Sequence, residues 1–407
     1  MSFQGALMGL SRRDLLVAGA LLAPGTALAA QDGVTYPFGV TRNAAWAAVN
    51  LDGKDPPLRF LIDTGSSGFG VLDSKARELG LSRYGKSSGQ AAVGRIRVEV
   101  YGASVLLGGA VREPWLPLSG LPYLPQSMQG LIPLARFRVM GMDFDTRQVL
   151  IASRLPKDLD GYEPLDLDAK RPVSGSVDRM GSYTNDDNNQ LRMDHRPVIE
   201  AELDGERVLL GVDTGSDYGL FLFPDFVKRK GLWDRFPNPQ AGSTRTLAMS
   251  INSRTVRAER LKIGKLVFAR PIVTLGDPAH ADKDGSRREV GLIGMEFLRR
   301  LNFISDPQRR RLWIKPNAAI GDGYRYDRAG TEVGFVEGVA RVTELSPGSP
   351  ADRAGLKLGD QVTGWRGADG LDGLSWALKG APGSTVEIQV ARDGVRQMVA
   401  VVLAEVI

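Results

Sequence analysis

The chain has 407 residues, an apolar fraction of 43%, a charged fraction of 24% and a formal net charge of +5, enough for two or three domains with cores of their own. It contains no cysteine and only two histidines, His195 and His280, which excludes a disulfide framework, a thiol nucleophile and a Cys-based zinc site and leaves carboxylates as the acid–base groups of any hydrolase. Basic residues are dispersed, with short runs such as Arg309-Arg310-Arg311 and no interleaved aromatics, so the charge reads as a solvated surface with no nucleic-acid partner.

At the N-terminus, Ser11-Arg12-Arg13-Asp14-Leu15-Leu16 leads into an apolar stretch that ends in Ala27-Leu28-Ala29. A charged start, a short apolar middle and a small-x-small end mark residues 1–30 as an export signal. The arginine pair resembles the twin-arginine export motif, with Leu15 where that family usually has Phe and Val17 where it often has Lys. The route is therefore twin-arginine-like or general secretory. The stretch falls short of the ~20 residues of a bilayer span, and Pro24-Gly25 interrupts it. The expectation is a periplasmic or secreted mature chain beginning near Ala30, with no stable membrane insertion after cleavage.

Beyond the signal, glycine is plentiful and apolar residues come in short runs, which predicts a mainly β chain with many turns. One segment occurs twice. Residues 46–68 and 197–216 each read as an apolar strand, a Leu-Asp-Gly turn, a second apolar strand, and then Asp-Thr-Gly-Ser. The Asp-Gly pairs suit tight hairpins. Further stations follow in the same order: Leu107-Gly108 with Pro114 and Leu118 parallels Ile263-Gly264 with Pro271 and Leu275. Gly130-Leu131-Ile132 then parallels Gly291-Leu292-Ile293, and turns at Asp145-Thr146-Arg147 and Asp306-Pro307-Gln308-Arg309 close both copies. Matching order at several stations predicts two homologous lobes, at 31–169 and 197–318. They are joined by an exposed connection over 170–196, rich in Ser, Asn, Asp and Gly, with His195 at its end.

Two Asp-Thr-Gly-Ser motifs, each followed by an apolar-apolar-Gly element, resemble the pepsin and retropepsin superfamily of aspartic peptidases, and the resemblance spans most of residues 40–316. It implies a bilobal aspartic-peptidase β-barrel fold with pseudo-two-fold symmetry. Catalysis would rest on Asp63 and Asp213, without metal or other cofactor. Two facing carboxyls cannot both ionise, so the pair would hold one proton and activate a water between them. Gly65 and Gly215 would permit close backbone approach. By the same resemblance, Thr64 and Thr214 would hydrogen-bond across the lobe junction, and Ser66 and Ser216 would bond the outer carboxylate oxygens.

The first lobe departs from the pattern at Gly130-Leu131-Ile132-Pro133, where proline brings a fixed φ and no amide hydrogen. The second lobe keeps Gly291-Leu292-Ile293-Gly294-Met295-Glu296-Phe297-Leu298. Ser87–Gly94 is the candidate flap of the first lobe, and residues 242–255 form the corresponding region of the second. Tyr84 and Tyr101 read as packing residues. This leans the likeness toward duplicated retropepsin-like domains.

From about residue 324 to 407 the character changes. Val333-Gly334-Phe335, a strand near Val339–Leu345, Ser349-Pro350-Ala351, Ala354-Gly355-Leu356 and Gly359-Asp360 resemble a PDZ domain of the type attached to bacterial peptidases. Ser349 and Pro350 can start a short helix that Gly355 ends. By the resemblance, a loop at Val333, Gly334 and Phe335 would offer amides to a protein C-terminus, with the peptide added as a strand beside it. A domain that only packs on the peptidase is the alternative. The expectation as a whole is an exported aspartic endopeptidase acting on protein or peptide substrates, with the PDZ domain recruiting substrates or regulating access. Its rival is a catalytically inactive periplasmic peptide-binding adaptor.

Overall fold

The computed structural model describes residues 33–407 except 67, 126–127, 135–136, 169–195 and 283–287. The export signal, His195 and nearly all of the 170–196 connection therefore lie outside the described residues. The described chain is mainly β, in curled sheets.

An eight-stranded sheet runs in the order Gly39–Thr41, Ala44–Leu51, Leu58–Asp63, Gly130–Pro133, Gly70–Leu72, Val111–Leu121, Arg95–Leu107, Ser82–Gln90. It curls back on itself where Val49 to Leu51 also pair with Leu107 to Val105. A nine-stranded sheet runs Gln240–Arg245, Ser250–Arg257, Ile272–Gly276, Leu220–Leu222, Gly291–Ile293, Glu206–Val212, Val198–Leu203, Arg260–Ile263, Leu266–Ala269. The two repeated Asp-Gly turns both carry left-handed backbone, with φ of 50° and 67° at Asp52 and Gly53 and 50° and 85° at Asp204 and Gly205. Asp tolerates that region and Gly adopts it freely, which is why the pair recurs there.

In each sheet the strand that ends at an Asp-Thr-Gly-Ser motif lies parallel to the apolar-apolar element. Ile62 pairs with Ile132 and Asp63 with Pro133, while Val212 pairs with Ile293. These strands are covered on both faces, as their unbroken apolar runs require: Phe60, Leu61, Ile62, Leu210 and Val212 are all buried.

A third sheet crosses the division between the lobes. Its order is Gly33–Pro37, Gln148–Ala152, Val139–Asp143, Leu301–Asp306, Arg311–Pro316, Glu163–Asp166. Met140 to Met142 pair antiparallel with Ser305 to Phe303 at its centre. Beneath it, one continuous apolar core contains residues of both lobes, among them Phe60, Phe144, Val212, Phe297 and Phe303.

The C-terminal part has its own core, built on Val342, Ala351, Leu356, Leu374, Ile388, Val390 and Val401. Its five strands run Thr331–Val336, Val339–Leu345, Gln361–Trp365, Thr385–Arg392, Val395–Val402, with helices Pro350–Arg353 and Gly370–Ala377. The Ser349 hydroxyl accepts from the Asp352 amide at 3.3 Å with Pro350 at the first helical position, and Gly355 follows with φ of 93°. Val333, Gly334 and Phe335 are not a loop. They form the edge strand of this sheet, paired with Val342, Arg341 and Ala340. The turn comes later, at Glu337-Gly338, where φ is 51° and 77°.

Candidate active site

Asp63 and Asp213 come together within one chain. A methyl group placed on Gly65 would lie 2.6 Å from the Asp213 carboxyl carbon, and one on Gly215 would lie 2.6 Å from that of Asp63. Each carboxyl thus rests against the glycine of the opposite motif, where any side chain would displace it. The Gly65 amide donates to Asp63 Oδ1 at 2.6 Å and the Gly215 amide to Asp213 Oδ1 at 2.9 Å.

The threonines cross the junction reciprocally. The Thr64 amide donates to Thr214 Oγ1 and the Thr214 amide to Thr64 Oγ1, both at 3.0 Å. The Thr64 hydroxyl then donates to the Val212 carbonyl at 2.7 Å and the Thr214 hydroxyl to the Ile62 carbonyl at 2.8 Å. Both threonines are fully buried. Four hydrogen bonds therefore fix the separation of the loops, with no water available to replace any of them.

The serines depart from expectation. The Ser66 hydroxyl donates to the Gly68 carbonyl at 2.9 Å and so closes its own loop. Ser216 meets Asp213 through its backbone amide, which lies 3.3 Å from the Asp213 carbonyl and also favours the ionised Asp213 carboxyl. Among the described hydrogen bonds, neither serine hydroxyl reaches a dyad carboxyl.

Pro133 keeps its register with Asp63 but changes the wiring behind it. In the second lobe the Gly294 amide donates to the Gly219 carbonyl at 2.7 Å. Pro133 has no amide hydrogen to offer, and Phe69, the residue corresponding to Gly219, accepts from the Ser119 amide at 2.9 Å instead.

Burial raises the Asp63 pKa well above 3.8, and the Asp213 charge raises it further; Asp213 is raised too, mainly by burial. Arg196 opposes this at both carboxyls. Its guanidinium packs over Gly211 on the strand leading to Asp213 and pairs with Glu289. No local motif marks Arg196, because it acts through space from the residue before Pro197.

The tips of two hairpins meet one another. The tip between Ser82–Gln90 and Arg95–Leu107 sends Val93 into an apolar patch of the second lobe, against Phe221, Phe223, Ile251 and Leu292. The tip between Gln240–Arg245 and Ser250–Arg257 sends Leu247 onto Leu61, Leu121, Leu124, Met128 and Leu131 of the first lobe. The Thr246 hydroxyl donates to the Val93 carbonyl at 3.3 Å, and the Arg245 guanidinium lies 3.8 Å over the Tyr123 ring. Tyr101 is buried and donates to Asp73 at 2.7 Å, whereas Tyr84 is exposed and stacks edge-on with Trp115. Among the described residues, no group of three His, Cys, Asp or Glu side chains converges to hold a metal ion, and no helix is long and apolar enough to cross a membrane.

Residues 199–297 match the aspartyl protease family, and residues 326–403 match the PDZ domain family. No curated protein matches the chain. The first match contains the second Asp-Thr-Gly-Ser motif and its supporting strand; the second contains the whole five-stranded C-terminal sheet. The chain therefore combines an aspartyl protease domain, matched over 199–297 and bearing Asp213, with a C-terminal PDZ domain.

Proposed function

We propose that the protein is an aspartic endopeptidase whose catalytic pair is Asp63 and Asp213. The observation that carries this proposal is the packing of each carboxyl against the glycine of the opposite motif, held by the reciprocal Thr64–Thr214 bonds. With one proton on the pair, the ionised carboxyl takes a proton from a water held between them. The water oxygen attacks the peptide carbonyl carbon while the protonated carboxyl donates to the carbonyl oxygen. Collapse of the tetrahedral diol breaks the C–N bond: one hydroxyl returns its proton to the ionised carboxyl as the C=O bond re-forms, while the other carboxyl passes its proton to the departing nitrogen. The two motif loops, with the same bonds made in each direction, support a pseudo-two-fold relation between the lobes.

In this proposal the PDZ domain recruits protein substrates by their C-termini or regulates access to the cleft. The Thr331–Val336 strand, at the edge of its sheet, is where a peptide would add. The residues 1–30 pattern supports export to the periplasm or beyond.

The test is a peptide-library digest across pH, with new termini identified by mass spectrometry. Wild type is expected to cleave, and Asp63→Asn to lose roughly 10²- to 10⁴-fold or more of the rate. Binding of library peptides without any new termini would favour the adaptor instead.

A further inference from the structure

The second-lobe hairpin ends its sheet at Gln240–Arg245, so among the described strands the outer side of that strand has no partner. Unpaired edge groups must find acceptors elsewhere or remain in water. Here the PDZ domain supplies them. The Ser243 amide donates to Glu332 Oε2 at 2.6 Å, the Ser243 hydroxyl donates to Glu332 Oε1, and the Gln240 side chain donates to Asp327. Glu332 lies on the PDZ edge strand Thr331–Val336.

Within its own domain Glu332 is poorly placed. It stands directly opposite Glu344 in the antiparallel register, and like charges in that position destabilise a sheet. Burial and then the Glu332 charge raise the Glu344 pKa. Both groups that donate to its carboxyl, the Ser243 amide and hydroxyl, come from the second-lobe hairpin. Elsewhere on the PDZ domain, Asp369 precedes the helix Gly370–Ala377 and pairs with Arg42 of the first lobe at 2.5 Å. The PDZ domain is thus tied to the body of one lobe and to the flap of the other. The flap it grips is the one whose Leu247 sits in the first lobe's apolar patch.

We propose that Glu332 is a latch by which the PDZ domain holds the second-lobe flap closed over the cleft, so that turnover is restrained until this contact is released. The proposal rests on the cleft being a peptidase site, so its test has one arm that needs no catalysis. Hydrogen–deuterium exchange over Gln240–Arg257 is measured in full-length Asp63→Asn protein. Adding Glu332→Ala is expected to speed exchange there by roughly ten- to a hundredfold, the equivalent of one lost charge-assisted contact. Ser243→Ala gives a smaller increase. Glu344→Ala, which removes the repulsion but touches no flap residue, leaves exchange unchanged. In the otherwise wild-type chain, Glu332→Ala raises kcat/KM for a short peptide with an amidated C-terminus. Unchanged flap exchange in Glu332→Ala overturns the latch. Faster exchange with unchanged turnover in a cleaving enzyme overturns its control of the cleft. If neither form cleaves any peptide, the peptidase assignment fails, and the exchange result still decides whether Glu332 holds the flap.

Discussion

At the level of single residues, the proposed mechanism turns on how firmly the Asp63–Asp213 pair would hold a shared proton. Burial raises both carboxyls above 3.8 in the folded chain. Between that value and the raised one, the folded state binds more protons than the unfolded state, so the dyad's contribution to stability falls as pH rises through the window. Asp63→Asn keeps the shape and removes a group that titrates. Its stability relative to wild type is expected to rise, by up to about 1–2 kcal/mol, as pH climbs through the window above 3.8, and to show no such gain below 3.8; denaturant titrations across that range check this. Arg196 pulls both carboxyls the other way. Arg196→Met should therefore shift the alkaline limb of the kcat/KM profile to higher pH, a shift of the pair as a unit. An unmoved limb would show that the dyad does not sense this cation. Asp63 and Asp213 were legible in the sequence because four adjacent residues define each motif. Arg196 was not, because nothing local marks a side chain that acts across a strand.

At the level of elements, the threonine crossing is the joint between the two motif loops. Thr214→Val would orphan the Thr64 amide and the Ile62 carbonyl, at about 1–3 kcal/mol for each buried group. A loss of that size in a denaturant titration, with activity falling alongside it, is the expected outcome; unchanged stability would contradict the joint. The hairpin turns at Asp52-Gly53 and Asp204-Gly205 could be read in advance, since the φ values they need select those residues. The strand through Val333, Gly334 and Phe335 could have been read too, for Glu337-Gly338 supplies a tight turn just beyond it. The serine contacts could not: a hydroxyl's choice between its own loop and a carboxylate depends on a few tenths of an ångström of backbone placement. Nor does the composition of Ser87–Gly94 or residues 242–255 reveal that Val93 and Leu247 each seat in the opposite lobe.

At the level of the whole molecule, the lobes are joined by a sheet and by a buried charge cluster. The sheet escapes sequence reading because its strands are far apart in the chain, as with Glu163–Asp166 beside Arg311–Pro316. The cluster centres on Glu296, which accepts from Arg300 at 2.9 Å, from Asn43 of the first lobe at 2.8 Å and from the Arg325 amide at 3.1 Å. Arg300 is almost wholly buried. Glu296→Gln would leave its charge uncompensated, and a loss of about 3–5 kcal/mol is expected by denaturant titration. The two lobes have to be locked in this way because each supplies only half of the proposed chemistry. Cleavage rates of a single peptide by Asp63→Asn, Asp213→Asn and the double variant test that dependence most directly. If the carboxyls work as one unit, each single change abolishes nearly all turnover and the double change costs little more. A single variant that still cleaves at the wild-type rate, or losses that simply multiply, would contradict a shared catalytic pair.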